Sequence, residues 1–248
     1  MPTVGVEFAK VSYTLADGRS LLRDISLQLE AGTTTALLGR SGSGKTTLLR
    51  MVNGLGVPTS GEVRVAGKPT GEYQTVALRR GIGYVIQETG LFPHMTVERN
   101  IGMTLELAGR RREEIVKRAT EMLHVVGLPD DAAQRYPWQL SGGQRQRVGV
   151  ARALANEPKV LLMDEPFGAL DPLTRAEMQT MLRELLRRTG VTTLIVTHDL
   201  DEALYLADRV VLLEDGAVVA DLASAEVRES SNEAMRAYVA ATHREVTL

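Results

Sequence analysis

Gly39-Arg40-Ser41-Gly42-Ser43-Gly44-Lys45-Thr46 is the stretch on which the reading of this chain turns. It satisfies G-x-x-x-x-G-K-[ST] at every fixed position, and each fixed residue has a physical task. The glycines let the backbone curl until successive N–H groups face inward, where they can cradle phosphate oxygens. Lys45 reaches the β- and γ-phosphates of a nucleotide, and the Thr46 hydroxyl ligates Mg²⁺. A helix starting near Lys45 and running on through Thr47 adds the positive end of its dipole. The alternative is an ordinary glycine-rich turn, but chance produces the full pattern in only about one chain in a hundred of this length. The flanks agree: Thr33-Thr-Thr-Ala-Leu-Leu38 is a β-branched, apolar run that stops at Gly39, and Thr47-Leu-Leu-Arg-Met51 continues as helix. Nucleotide binding is therefore expected.

Outward from this loop, Val4–Phe8 and Ile25–Leu29 alternate apolar and polar residues as half-buried strands do, with Asp17-Gly18 as a turn signal between them. Gly61–Val65 and Ile82–Ile86 are further strand candidates. From Phe92 to Glu157 the texture turns helical, with Ile115, Val116, Ala119, Met122, Leu123 and Val126 on one face. Val160–Met163, Thr192–Thr197 and Val210–Leu213 are short apolar runs of the kind that form buried parallel strands. Leu173–Arg188, between the first two, is an amphipathic helix. This order argues for an α/β fold in which the helical middle is an insertion. The tail from Ser224 to Leu248 reads as polar and at most helical.

A phosphate loop needs an acidic partner at the end of a neighbouring strand to hold Mg²⁺. Val160-Leu-Leu-Met-Asp164-Glu165 supplies one. Asp164 is expected at the strand end as the magnesium partner. Glu165, one residue on, points elsewhere and can serve an attacking water as general base. A solvated strand end is the bland reading of the same residues, and the phosphate loop decides against it.

Composition removes several function classes. Of the 248 residues, 44% are hydrophobic and 24% charged, enough apolar surface for an ordered globular chain. The 29 basic and 31 acidic side chains leave a net charge of −2, without the basic excess of a nucleic-acid binder, so no nucleic-acid partner is expected. With no cysteine there is no disulfide framework and no thiolate metal site. No stretch approaches the ~18 apolar residues of a membrane helix, and Met1–Lys10 lacks the features of a secretory leader. A soluble, cytoplasmic chain that reaches a membrane only through partner subunits is the expectation.

Leu140-Ser-Gly-Gly-Gln144, followed by Arg145-Gln-Arg147, Ala151-Arg-Ala153 and the Asp164-Glu165 strand, resembles the signature of the ATP-binding-cassette ATPases. The resemblance extends over essentially the whole chain. It implies a P-loop NTPase (RecA-like) α/β core at 1–87 and 158–248, with an antiparallel β subdomain, and an inserted α-helical subdomain at 88–157. It also implies ATP and Mg²⁺ as ligands. Tyr13 is placed like the aromatic that stacks on adenine, although an ordinary strand-edge aromatic is the competing reading. Gln87 matches the glutamine that contacts Mg²⁺, Asp171 in Gly168-Ala-Leu-Asp171 the loop that crosses the dimer interface, and His198 the histidine that touches the γ-phosphate. Ser141, Gly142, Gly143 and Gln144 form the second anion-binding loop, which in the family meets ATP bound to the other subunit of a head-to-tail dimer. His94, His124 and His243, Trp138 and the Arg110-Arg-Arg112 run take bland readings: no metal spacing among the histidines, packing for the tryptophan, a solvated helix start for the arginines.

The resemblance further implies the ATP-hydrolysing subunit of a membrane transporter, on the cytoplasmic face of the inner membrane. Its partners would be transmembrane permease subunits, docking beside Gln87–Thr96, and a substrate-binding protein. Repair and translation members of the family are the alternative class; the chain carries neither a long coiled coil, nor zinc-binding cysteines, nor a second cassette. The wording of Ile82–Ile101, with Pro58-Thr-Ser-Gly61 before it, is similar to importers of glycine betaine, choline, carnitine or proline. Polar amino-acid importers share much of it. Several relatives append a regulatory domain, whereas this sequence ends at Leu248.

Overall fold

The computed structural model describes residues 4–87 and 89–242. His243, Glu88 and the last stretch of the polar tail lie outside the described residues. In chain order the elements begin with strands β1 (Val4–Thr14), β2 (Ser20–Glu30) and β3 (Thr34–Leu38), then helix α1 (Lys45–Val52). Next come β4 (Ser60–Val65), β5 (Lys68–Pro69), α2 (Thr75–Arg80) and β6 (Ile82–Val85). Helices α3 (Val97–Leu107), α4 (Arg112–Val125) and α5 (Gly142–Leu154) follow, and then β7 (Val160–Asp164) and α6 (Pro172–Thr189). The chain closes with β8 (Thr192–Val196), α7 (Leu200–Leu206), β9 (Arg209–Glu214), β10 (Ala217–Ala223) and α8 (Glu233–Thr242). Two compact units result, one from the residues up to 74 together with 192 onward, the other from 75–191.

The first unit holds two sheets. One is antiparallel, in the order β2-β1-β4-β5, with β1 and β2 joined by the turn around Asp17-Gly18. In the other, β3 runs parallel to both β8 and β9, pairing Thr35 with Leu194 on one side and with Arg209 on the other. Every residue of β3 and β8 is buried, as a strand covered on both faces must be. Fully burying one such leucine or valine is worth about 1.5–3 kcal/mol, so this strand pair is a main source of the unit's stability. Ala36, Leu38, Val210 and Leu212 share a core with Leu200 and Ala203 of α7 and Met235 of α8, while α1 lies against β8 and β4.

In the second unit β6 and β7 form a parallel pair, Ile82 opposite Val160 and Val85 opposite Met163. Helices α3, α4 and α5 pack on one another, with Ile115, Ala119, Met122 and Leu123 of α4 buried. The apolar face read from 115–126 is the face that is covered. Trp138 departs from expectation: it is 65% exposed, its ring stacked on Tyr136 with centroids 4.5 Å apart. It packs on a neighbour in the same surface turn and on no core. Among the described residues no helix is long and apolar enough to cross a membrane.

Candidate functional site

Each unit carries its own part of the expected site. In the first, the chain leaves β3 at Leu38 and turns through Gly39–Gly44 into α1. Gly39, Gly42 and Gly44 all hold φ values in the left-handed region, +150, +81 and +100°. A Cβ on Gly39 would overlap the Leu213 carbonyl oxygen and crowd Ser43 Oγ, so the tightness of the curl demands glycine here. Lys45 is 5% exposed, and its ammonium donates to the carbonyls of Gly39 (2.7 Å) and Arg40 (2.8 Å). Ser43 Oγ is buried with no hydrogen-bond partner among the described residues, an orphan acceptor and donor inside the loop. Gly44 stands at the N-cap of α1 and makes no side-chain cap bond. Arg40, Ser41 and Gly42 are exposed, and Thr46 and Thr47 half-buried.

His198 follows β8 and is exposed; its carbonyl accepts the Tyr238 hydroxyl at 2.8 Å. The next residue, Asp199, caps α7 through Glu202 N, and its own N–H donates to Thr197 Oγ1 at 3.0 Å. A cavity of about 340 Å³ is lined by Gly39, Arg40, Ser41 and His198 together with Leu213 and Tyr238. Tyr13 does not line it. That ring is half-buried on β1, opposite Leu22 of β2.

The second unit places the carboxylates and the serine-glycine loop. Asp164 ends β7 and is buried, 7% exposed. Glu165 follows with φ +44, a left-handed backbone that costs a non-glycine residue about 1–3 kcal/mol. Gln87 is exposed just past β6. Ser141 caps α5 reciprocally: its hydroxyl accepts from Gln144 N at 3.2 Å, and Gln144 Oε1 accepts from Ser141 N at 3.0 Å. Gly142 is exposed and Gly143 buried, where a Cβ would overlap the Thr174 methyl. Asp171 caps α6 by accepting from Thr174 N at 3.1 Å; hydrogen bonds from the Thr174 side chain and then its backbone hold this carboxyl below its ordinary value.

Two residues join these sites that spacing had not suggested. Arg152, in the last turn of α5, donates to the carbonyls of Thr89 and Gly90, both at 2.7 Å, and its burial pulls the guanidinium below its usual range. The helix that starts at Ser141 thus grips the segment after Gln87 at its other end. Tyr238 is the second. The bland histidines stay bland: His124 bonds Asp130 at 2.6 Å and His94 stands edge-on to Phe92, while His243 falls outside the described residues.

The chain is similar to known proteins over much of its length. The profile of the family described as ABC transporter matches residues 22–168. The chain is 45% identical over 214 residues to the carnitine transport ATP-binding protein OpuCA of Listeria monocytogenes, covering 86% of this chain and 54% of that one. It is 48% identical over 214 residues to the glycine betaine uptake system ATP-binding protein YehX of Escherichia coli, covering 86% and 69%. Against the sulfate/thiosulfate import ATP-binding protein CysA of Mesorhizobium japonicum it is 52% identical over 201 residues, covering 79% and 57%. The chain thus spans little more than half the length of most of these relatives. Among solved structures, a dimeric post-hydrolysis state of the ATP-binding cassette MJ0796 bound to ADP and Pi superposes with a TM-score of 0.79 at 35% identity, covering 88% of this chain and 98% of that one.

Proposed function

The chain belongs to the ABC transporter family, and on that footing we propose that it is the ATP-hydrolysing, energy-coupling subunit of a membrane importer of quaternary-amine osmoprotectants. The observation that carries the hydrolytic part is the phosphate loop itself. Its lysine is buried and parked on two loop carbonyls, its Ser43 hydroxyl is orphaned, and α1 behind it has no side-chain cap. A triphosphate supplies an acceptor for that hydroxyl and a stronger one for the lysine, at the positive end of the α1 dipole.

Roles follow from chemistry. Gly39–Thr47 wrap the phosphates, and Lys45 neutralises charge on the β- and γ-oxygens. Tyr13 stacks on adenine. Thr46, Gln87 and Asp164 offer a hydroxyl, an amide and a carboxylate oxygen, the hard donors Mg²⁺ takes, and the buried carboxylate of Asp164 suits a cation. That ion would add further neutralisation at the phosphates. Glu165 accepts a proton from water as the water oxygen bonds the γ-phosphorus and the bond to the bridging oxygen breaks, leaving ADP and phosphate. His198 donates to the γ-phosphate. Ser141, Gly142, Gly143 and Gln144 of one copy, with Asp171, meet the ATP of a second copy in a head-to-tail dimer.

The rest of the complex would be transmembrane permease subunits and a substrate-binding protein, with this chain peripheral on the cytoplasmic face of the inner membrane. Residues 1–248 act as one ATP-binding domain, core 1–87 and 158–248, helical subdomain 88–157; the mutual packing of α3, α4 and α5 supports the latter. The carnitine and glycine betaine relatives support the substrate class. Import of another small solute is the second reading, favoured by the 52% identity to a sulfate/thiosulfate protein.

Glu165→Gln tests the mechanism: it should retain ATP and accumulate an ATP-bound dimer with little turnover, and brisk hydrolysis would remove Glu165 from this role. Uptake of radiolabelled glycine betaine against sulfate, by cells expressing the chain with its co-purifying membrane partner, separates the two substrate readings.

A further inference from the structure

Tyr238 lies far outside the matched family region of 22–168, on α8, yet it shares a cavity with the phosphate loop and with His198. Its hydroxyl donates to the His198 carbonyl at 2.8 Å. Gly39, Arg40, His198 and Tyr238 line one cavity of about 340 Å³. The helix does not depend on this bond for its place. Met235 is fully buried, and Ala234 and Val239 pack against the same core of β3, β9 and α7.

We propose that Tyr238 is a positioning residue: by holding the His198 carbonyl through its hydroxyl, it sets the stand of the histidine loop beside the phosphate loop, whose Gly39 and Arg40 line the same cavity. The inference rests on the hydrolytic reading of His198 and adds to it a device carried by α8. Burial, then the Asp199 charge, raises the Tyr238 phenol above its ordinary value, against weaker effects of the Gly39 backbone and the Arg40 charge. The hydroxyl therefore keeps its proton, and with it the donor role, across the neutral range.

Tyr238→Phe removes one oxygen and keeps the ring. The expected result is a drop in kcat for ATP hydrolysis of about five-fold, the factor one net hydrogen bond is worth, with KM for ATP unchanged. In a His198→Ala background the same substitution should cost nothing further. Hydrogen exchange in the nucleotide-free protein supplies a second readout. The Asp199 amide, bonded to Thr197 Oγ1, should exchange about five-fold faster in Tyr238→Phe, with α8 amides unchanged. Unaltered kcat and unaltered exchange would overturn the proposal, and so would an equal loss in the His198→Ala background. A wild-type chain that hydrolyses no ATP would sink the hydrolytic reading alone, since the exchange experiment still judges Tyr238.

Discussion

Helices α1 and α5 both begin at glycine-bearing loops, and their first turns are finished in opposite ways. At α1 the cap is Gly44 with φ +100°, no side chain closes the turn, and the nearest cation is folded back onto loop carbonyls. At α5 the chain closes its own turn, Ser141 and Gln144 exchanging both bonds of a capping box. Orphan N–H groups at a helix start must find acceptors. The loop of α1 also buries a Ser43 hydroxyl with no partner among the described residues, a place for something the chain does not supply. That of α5 is complete by itself, and any anion it meets must use the Gly142 and Gly143 N–H groups and the hydroxyl proton of Ser141 that the cap leaves over. One loop is organised for a ligand; the other is rigid first and binds second.

The sharpest way to break this contrast is Lys45→Ala. Removing a preorganised charge at the phosphates should cut hydrolysis by about a hundred- to a thousand-fold, measured as phosphate release; a loss under ten-fold would mean the loop is not the phosphate cradle. Next is a paired glycine test. Gly39→Ala forces a Cβ into the Leu213 carbonyl and should destabilise the protein by about 2–3 kcal/mol in urea unfolding. Gly142→Ala, whose Cβ meets Leu170 Cδ2 at 3.7 Å and the flexible Arg145 guanidinium at 4.0 Å, should stay within about 0.5 kcal/mol of the parent. Ser141→Ala opens the capping box and should cost about 1 kcal/mol, visible as faster amide exchange in the first turn of α5. The smallest effect concerns the Asp171 cap of α6. Its carboxyl titrates lower in the folded chain than the ~3.9 of an unfolded one, so its support is full above that pH and fades as the pH falls through the folded value. The protection factor of the Thr174 amide, the intrinsic pH dependence of exchange divided out, should fall on acidification in the parent, and Asp171→Asn should flatten that dependence.

Much of this was legible in the sequence because the signals were local. Strands β3, β7, β8 and β9 and helices α1, α5 and α6 lie where apolar runs and caps put them, since a run of buried β-branched and aliphatic residues has few other ways to bury itself. Strand β10 was not legible: a register shift between Val218 and Ala220 breaks the two-residue alternation that would mark it. Helix α7 spans only seven residues, too few for a period to register, although its Asp199 cap was in view. Trp138 misled because aromatic character predicts burial only on average.

The order of glycines, lysine and threonine at 39–46, the serine-glycine cap at 141–144 and the acidic end of the strand at 164–165 were decided by the chain itself, because each works through groups a few residues apart. The left-handed turn at Glu165, the grip of Arg152 on Thr89 and Gly90, and the bond from Tyr238 to a carbonyl forty residues earlier were decided only in three dimensions. Such contacts arise from how one packed element lies on another, and no spacing in the sequence encodes that.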